Sequence, residues 1–170
     1  MADNYLMLDG KKYELSSELA NALRSCVEPE PEKNSPFERK TDDEGYFYVN
    51  ERGEVKPAID RYFSMDNGCF QVANYCTDKA LMEQRAMHET LNRLLWRYSE
   101  EHGGDKLWLG GINDHWVIFA SDGDVKRIAL NYFNSSKIFG VTYFCDEETA
   151  QAAIEEIVKP FLAAHPDFVW

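Results

Sequence analysis

GDVKRIALNYF, residues 123–133, repeats in outline a phrase that occurs earlier as GEVKPAIDRYF, residues 53–63. Gly53 matches Gly123, Val55 matches Val125, Lys56 matches Lys126, Tyr62 matches Tyr132 and Phe63 matches Phe133, every pair 70 positions apart without a gap. Upstream, the apolar run YFYV at 46–49 falls on WVIF at 116–119. Downstream, an offset of 69 sets Phe70, Val72, Tyr75 and Cys76 against Phe139, Val141, Phe144 and Cys145. Each half then reads strand, turn, strand, strand, helix.

The helices open on residues that cap orphan backbone N–H groups. Thr77 or Asp78 precedes ALMEQRAMHETLNRLLWRYSEEHG, and Asp146 precedes EETAQAAIEEIVKPFLAAH, whose first turn is acidic as the helix dipole favours. A strand meander and a helix each keep one apolar surface that needs a cover. The expected fold is therefore α+β: two strand-strand-strand-helix units forming one antiparallel sheet of about six strands, related by a pseudo-twofold axis, with both long helices on one face. The units are expected at 46–104 and 105–170.

Ahead of them, Asp9-Gly10 between YLML and KKYEL marks a two-residue hairpin turn, because a type I′ turn needs positive φ at both central positions. Ser16 or Ser17 caps a short helix expected to end near Val27, so residues 1–27 read as a hairpin and short helix. Residues 28–45 hold three prolines and few apolar side chains and read as a flexible linker.

Composition narrows the chemistry. With 18 Lys and Arg against 30 Asp and Glu in 170 residues, the net charge is −12. Such a field repels phosphate backbones and anionic membranes, so direct nucleic-acid or membrane contact is not expected and a basic partner surface is. The first residues lack the charge and apolar pattern of a signal peptide, and no stretch of eighteen apolar residues occurs, so the cytoplasm is the expected location. Four cysteines without a CxxC pair read as reduced thiols.

No GxSxG, P-loop, GxGxxG, HExxH or EF-hand pattern occurs, and neither cofactor nor metal is expected. His88 falls on the face of the first long helix shared by Leu81, Gln84, Leu91, Leu95 and Tyr98, and so reads as an inward-facing side chain. GGINDHW, residues 110–116, is the most site-like loop. Asp114 and His115 within it are the candidates for an enzyme reading, with Asp105 as a carboxylate that could pair with Asp114.

Two binding readings stand beside that one. Carboxylates of Asp146, Glu147, Glu148, Glu155 and Glu156 form an array able to occupy Arg and Lys side chains that otherwise grip phosphates. Alternatively, Lys56, Tyr62, Lys126 and Tyr132 line a site at the pseudo-twofold axis for a nucleotide or another anionic small molecule, making the protein a sponge for a signal.

LDGKKYEL near the start, YFYVNERGEV, VANYCTDKA and FGVTYFCDEETAQAAIEE together resemble small uncharacterised proteins of phages and prophages of Gram-positive gut bacteria. Their pattern reads closer to GNYF where this chain has ANYC, so Ala73 and Cys76 depart from it. The resemblance implies a mobile-element origin and carries no catalytic residues. Inhibitors of host defence nucleases recur among small acidic phage proteins. It therefore implies a non-enzymatic, anti-CRISPR-like inhibitor whose partner is a basic nucleic-acid-binding host protein such as a CRISPR effector nuclease.

Overall fold

A computed structural model describes residues 5–20, 35–39, 43–109, 111–120 and 127–170. The expected end of the first helix, most of the linker, and Gly123, Val125 and Lys126 of the repeated phrase lie outside these residues. The chain divides into two compact units, Met1–Glu38 and Arg39–Trp170.

In the first unit, β1 (Tyr5–Leu8) and β2 (Lys11–Glu14) pair antiparallel with Leu8 opposite Lys11. Asp9 and Gly10 have φ of 49° and 76°, the two positive values that their turn requires. Residues 17–20 are helical, and the Ser16 hydroxyl accepts the Leu19 N–H at 3.2 Å.

The second unit is α+β. β3 (Gly45–Val49) and β4 (Val55–Ile59) form one hairpin, and β5 (His115–Ala120) and β6 (Ile128–Phe133) another. Its helices are α1 (Ser64–Gln71), α2 (Lys79–Glu101), α3 (Glu147–Ala153) and α4 (Lys159–Ala164). Asp78 caps α2 through the Leu81 N–H, and Asp146 caps α3 through the Thr149 N–H.

α2 is the mast of this unit. Met82 and Ala86 on its first half pack with Val49 and Cys76 under the first hairpin. Leu91, Leu95 and Tyr98 on its second half join Phe144, Ala150, Ala153, Val158, Phe161 and Phe168 in the larger core. The buried stripe thus turns along the helix, and His88 falls off it. Contrary to the expected inward face, His88 is exposed, with its ring 4.7 Å from that of Phe168. Gln84 fastens the C-terminal tail to α2, donating to the Asp167 carbonyl at 2.7 Å and accepting the Val169 N–H at 2.9 Å.

The continuous six-stranded sheet is not what forms. Among the described residues the strands make three separate two-stranded ladders. The third strand expected in each half shrinks to one bridge, Phe47 with Cys76 and Trp116 with Phe144. The reason is local. Asp66 accepts the N–H groups of Arg61 and Phe63, both at 3.0 Å, and Asn67 donates to the Tyr62 carbonyl, so short polar side chains draw 64–71 into α1 instead of a strand. In the other half, 134–143 is a loop stapled by the Ile138 N–H to the Tyr143 hydroxyl at 2.7 Å.

The gap-free offset of 70 does not carry over into matched backbone positions either. Tyr62 and Phe63 lie between β4 and α1, with Tyr62 at φ 56°, whereas Tyr132 and Phe133 end β6. The halves share a coarser order of hairpin, bridge and helix.

Arg39, inside the stretch read as linker, is anchored. Its Nε and Nη2 grip both oxygens of Asp60 at 2.7 and 2.8 Å, Nη1 reaches Asn67 Oδ1 at 2.7 Å, and the guanidinium lies 4.0 Å over the Tyr62 ring. This pairing, outweighing the cost of burial, holds the Asp60 carboxyl below its ordinary pKa. Beside it, Tyr46 stacks on Tyr75 with centroids 4.3 Å apart and donates to Asp66 at 2.9 Å.

Gly53 turns the first hairpin at φ 79°, and a Cβ there meets Thr90 Oγ1 at 3.1 Å. Gly53→Val is expected to cost about 1–3 kcal/mol, the range for a side chain forced into a sparsely populated backbone region. Urea unfolding measures it, and an unchanged midpoint contradicts the strain. Ala73, at φ 55°, holds a similar conformation.

Candidate functional site

Two loops meet at the end of α2, one described at 102–109 and 111–114 and the other at 134–145, and both converge on Asp105. One carboxylate oxygen lies 2.6 Å from His115 Nδ1. The other accepts Trp108 Nε1 at 2.8 Å and Lys137 Nζ at 3.0 Å. The Trp108 indole stacks on the His115 imidazole with centroids 3.7 Å apart and planes 4° from parallel, and Tyr143 meets the indole edge-on at 5.2 Å. Ser99, buried on α2, donates its hydroxyl to the Tyr143 carbonyl at 2.5 Å. Gly111 N–H reaches the Asn134 carbonyl at 2.6 Å and ties the two loops together.

Burial pushes the Asp105 carboxyl upward, but the hydrogen bonds from Trp108, His115 and Lys137, with the Lys137 charge, outweigh it and leave the pKa lowered. Asp60 and Asp66 are lowered as well. A carboxylate with a depressed folded pKa stabilises the fold above its unfolded value, about 4, and loses that contribution as pH falls through the folded value. The urea midpoint is accordingly expected to hold from pH 7 to about 5 and to drop below about 4. Asp105→Asn should lower the neutral midpoint and flatten the drop, whereas a drop as steep as in the parent chain contradicts the assignment.

A carboxylate-oriented imidazole is one part of a general base. Here the imidazole is closed off: His115 is 1% exposed, and its Nε2 is buried without a hydrogen-bond partner among the described residues. The partner of His115 is Asp105, ten residues upstream. Asp114, placed beside it in the sequence reading, is exposed. Among the described residues, no group of three or more His, Cys, Asp or Glu is gathered closely enough to hold a metal ion.

What the cluster does is present the loops. Leu107 and Ile112 on one are each 74% exposed, Ile138 on the other is 45% exposed, and the Phe139 ring is fully in solvent. The start of α3 adjoins this end, because Cys145, just before its cap, donates its Sγ–H to the His102 carbonyl at 3.3 Å.

The five carboxylates of the acidic array are all exposed, but three have local duties. Asp146 caps α3, its pKa lowered by the Thr149 backbone and hydroxyl. Glu155 takes Lys159 Nζ on both oxygens at 2.6 Å, and Glu156 lies beside Tyr98, whose hydroxyl pKa is raised by burial and by that charge. Glu147 and Glu148 have no ion-pair partner among the described residues.

In the small-molecule set, each described residue has a local partner. Lys56 pairs with Glu54 at 2.9 Å, Tyr62 lies under Arg39, and Tyr132 packs against Trp116 with centroids 5.4 Å apart. Lys126 is outside the described residues. Neither Lys56, Tyr62 nor Tyr132 lines the cavity between β6 and the C-terminal helices or the two smaller cavities beside α2.

Sequence reasoning selected His115 and missed Asp105 as its partner, along with Trp108, Lys137 and Tyr143. The one available signal was a run of Asp, Lys and Trp closing on a DHW strand start.

No protein-family model matches the chain, and no curated protein or solved structure matches it. No helix among the described residues is long and apolar enough to cross a membrane.

Proposed function

We propose that the protein is a non-enzymatic, acidic binding protein that inhibits a nucleic-acid-handling defence protein of a bacterial host, as anti-CRISPR proteins do. The phage or prophage origin is the one its sequence resembles. The observation that carries this reading is the composite face at the end of α2. Exposed Leu107, Ile112, Ile138 and Phe139 sit on loops braced from beneath by Asp105, and the unpartnered carboxylates Glu147 and Glu148 stand at the adjoining helix start. Burying one such aromatic or aliphatic side chain against a partner contributes about 1.5–3 kcal/mol, and contiguous exposed apolar surface marks interaction sites. With a chain charge of −12, the matching surface is basic, the kind that binds phosphates. The enclosed Nε2 of His115 favours bracing over proton transfer.

Binding to purified basic effector nucleases tests it, with the chain immobilised and affinity measured at about 0.15 M salt, where charges within about 8 Å still interact. Glu147→Lys with Glu148→Lys, and separately Phe139→Ser, are each expected to weaken binding at least tenfold. Affinity unchanged in both contradicts this face.

A further inference from the structure

Among the described residues no strand pairs with the outer edge of β6, and the chemistry of that edge can be read from the register. Trp116 exchanges both backbone groups with Phe144, at 3.1 and 2.8 Å, so its N–H and C=O point away from β6. In an antiparallel ladder the parity alternates, so Trp116 opposite Tyr132, Ile118 opposite Leu130 and Ala120 opposite Ile128 are the non-hydrogen-bonded pairs. Ile128, Leu130 and Tyr132 therefore direct their N–H and C=O groups outward. The Tyr132 N–H is taken by the Asn131 side chain at 2.9 Å. Those of Ile128 and Leu130 have no strand beside them among the described residues.

Proteins blunt such edges with lysine, proline or a covering element. IALNYF, the whole of β6, contains neither a charge nor a proline. Next to it, between β6 and the C-terminal helices, lies a cavity of about 570 Å³. Its apolar wall includes Ile128, Leu130, Ile154, Leu162 and Phe168. Its polar rim is the row Gln151, Glu155 and Lys159, linked at 3.2 and 2.6 Å. The wide turn of helix at Ile154–Val158 forms part of this wall. There the Lys159 N–H reaches back to the Ile154 carbonyl, and Pro160 offers no N–H of its own.

We infer that β6 is a docking strand: an extended segment of a protein partner, apolar and basic residues alternating, pairs with Ile128 and Leu130 and sets its apolar side chains in the cavity. Only an extended chain fits both features. Two donor-acceptor pairs two residues apart repeat at about 6.6–6.8 Å, the period of a β-strand, and a strand added there carries every second side chain over the cavity. The remaining side chains face outward, where basic ones suit a chain of net charge −12. The inference rests on the reading of the protein as a protein binder and gives it a second contact surface.

The test is amide hydrogen exchange in the full chain, with and without a capped eight-residue probe peptide of alternating valine and lysine. Its control is a peptide of the same composition with the valines and lysines in two blocks. In the free chain the Ile128 and Leu130 amides should exchange fast and the Ala129 amide slowly. The alternating peptide should slow Ile128 and Leu130 at least tenfold, leave Ala129 unchanged, and bind at least tenfold more tightly than the block peptide. Ile128→Pro removes the outward N–H at the first position of an edge strand, where proline is tolerated, together with one side chain of the cavity wall. Leu162→Lys fills the cavity without touching the strand. Each should abolish the protection while the urea midpoint stays within reach of the parent chain.

Equal binding of the two peptides, or protection that survives both substitutions, overturns the inference. So does a concentration-dependent dimer that Ile128→Pro dissociates, since the edge then belongs to a second copy. Glu147→Lys with Glu148→Lys separates this from the functional reading. Loss of nuclease binding with peptide protection intact removes the composite face alone, and absence of peptide protection with nuclease binding intact removes the docking strand alone.

Discussion

Phe144→Ala is expected to lower the stability of the second unit by about 3–5 kcal/mol, the cost of emptying a closed core site of an aromatic ring. Phe144 has no exposed surface and packs with Leu91, Leu95, Tyr98 and Val158. It is also the residue whose backbone holds β5 through Trp116. Its ring fills the core while its peptide groups seat the second hairpin, so the loss should reach the loops as well. Urea unfolding followed by far-ultraviolet circular dichroism reads the stability, and Trp108 fluorescence reports whether the indole keeps its stack on His115. A loss below about 1 kcal/mol would place the core elsewhere.

Asp60→Ala is expected to cost about 3 kcal/mol, as when one partner of a buried ion pair is removed. The carboxylate is wholly buried, takes two bonds from Arg39 and accepts the Tyr62 N–H at 3.0 Å. Its loss strands a guanidinium against Asn67 and the Tyr62 ring and frees the backbone that positions α1. Arg39→Ala should be destabilising too, and the double variant should lose less than the two single losses added together, because the residues act as one unit. Simple additivity would mean that the pair does not couple the linker end to the first hairpin.

These two residues also show what was legible in the sequence. The Asp9-Gly10 turn, the caps at Asp78 and Asp146 and the two long helical stretches could be read because each depends on neighbours within a few positions. Asp60 and Arg39 could not, because 21 positions separate them and neither residue type announces its partner. The expected third strands failed for a physical reason. Their apolar alternation was real, but Asp66 and Asn67 in the first half and the Tyr143 hydroxyl in the second offered the backbone nearer hydrogen bonds, and only the Phe47–Cys76 and Trp116–Phe144 bridges remain. The candidate site was half legible. His115 stood out by its loop, whereas its pairing with Asp105 and the stacking of Trp108 follow from how two loops close over the end of α2. The acidic array was visible as composition, but the capping and pairing that occupy Asp146, Glu155 and Glu156 were not.

The central claim is that the protein acts by occupying a partner stoichiometrically, without turnover. Titration of the chain into a fixed amount of a basic effector nuclease that it inhibits, with residual nucleic-acid cleavage followed over time, tests this most directly. Inhibition is expected to reach an end point at a constant molar ratio, to scale with the nuclease concentration and to be independent of incubation time once mixed. A substoichiometric amount of the chain that silences all of the nuclease progressively with time would contradict the claim and make the protein a catalyst.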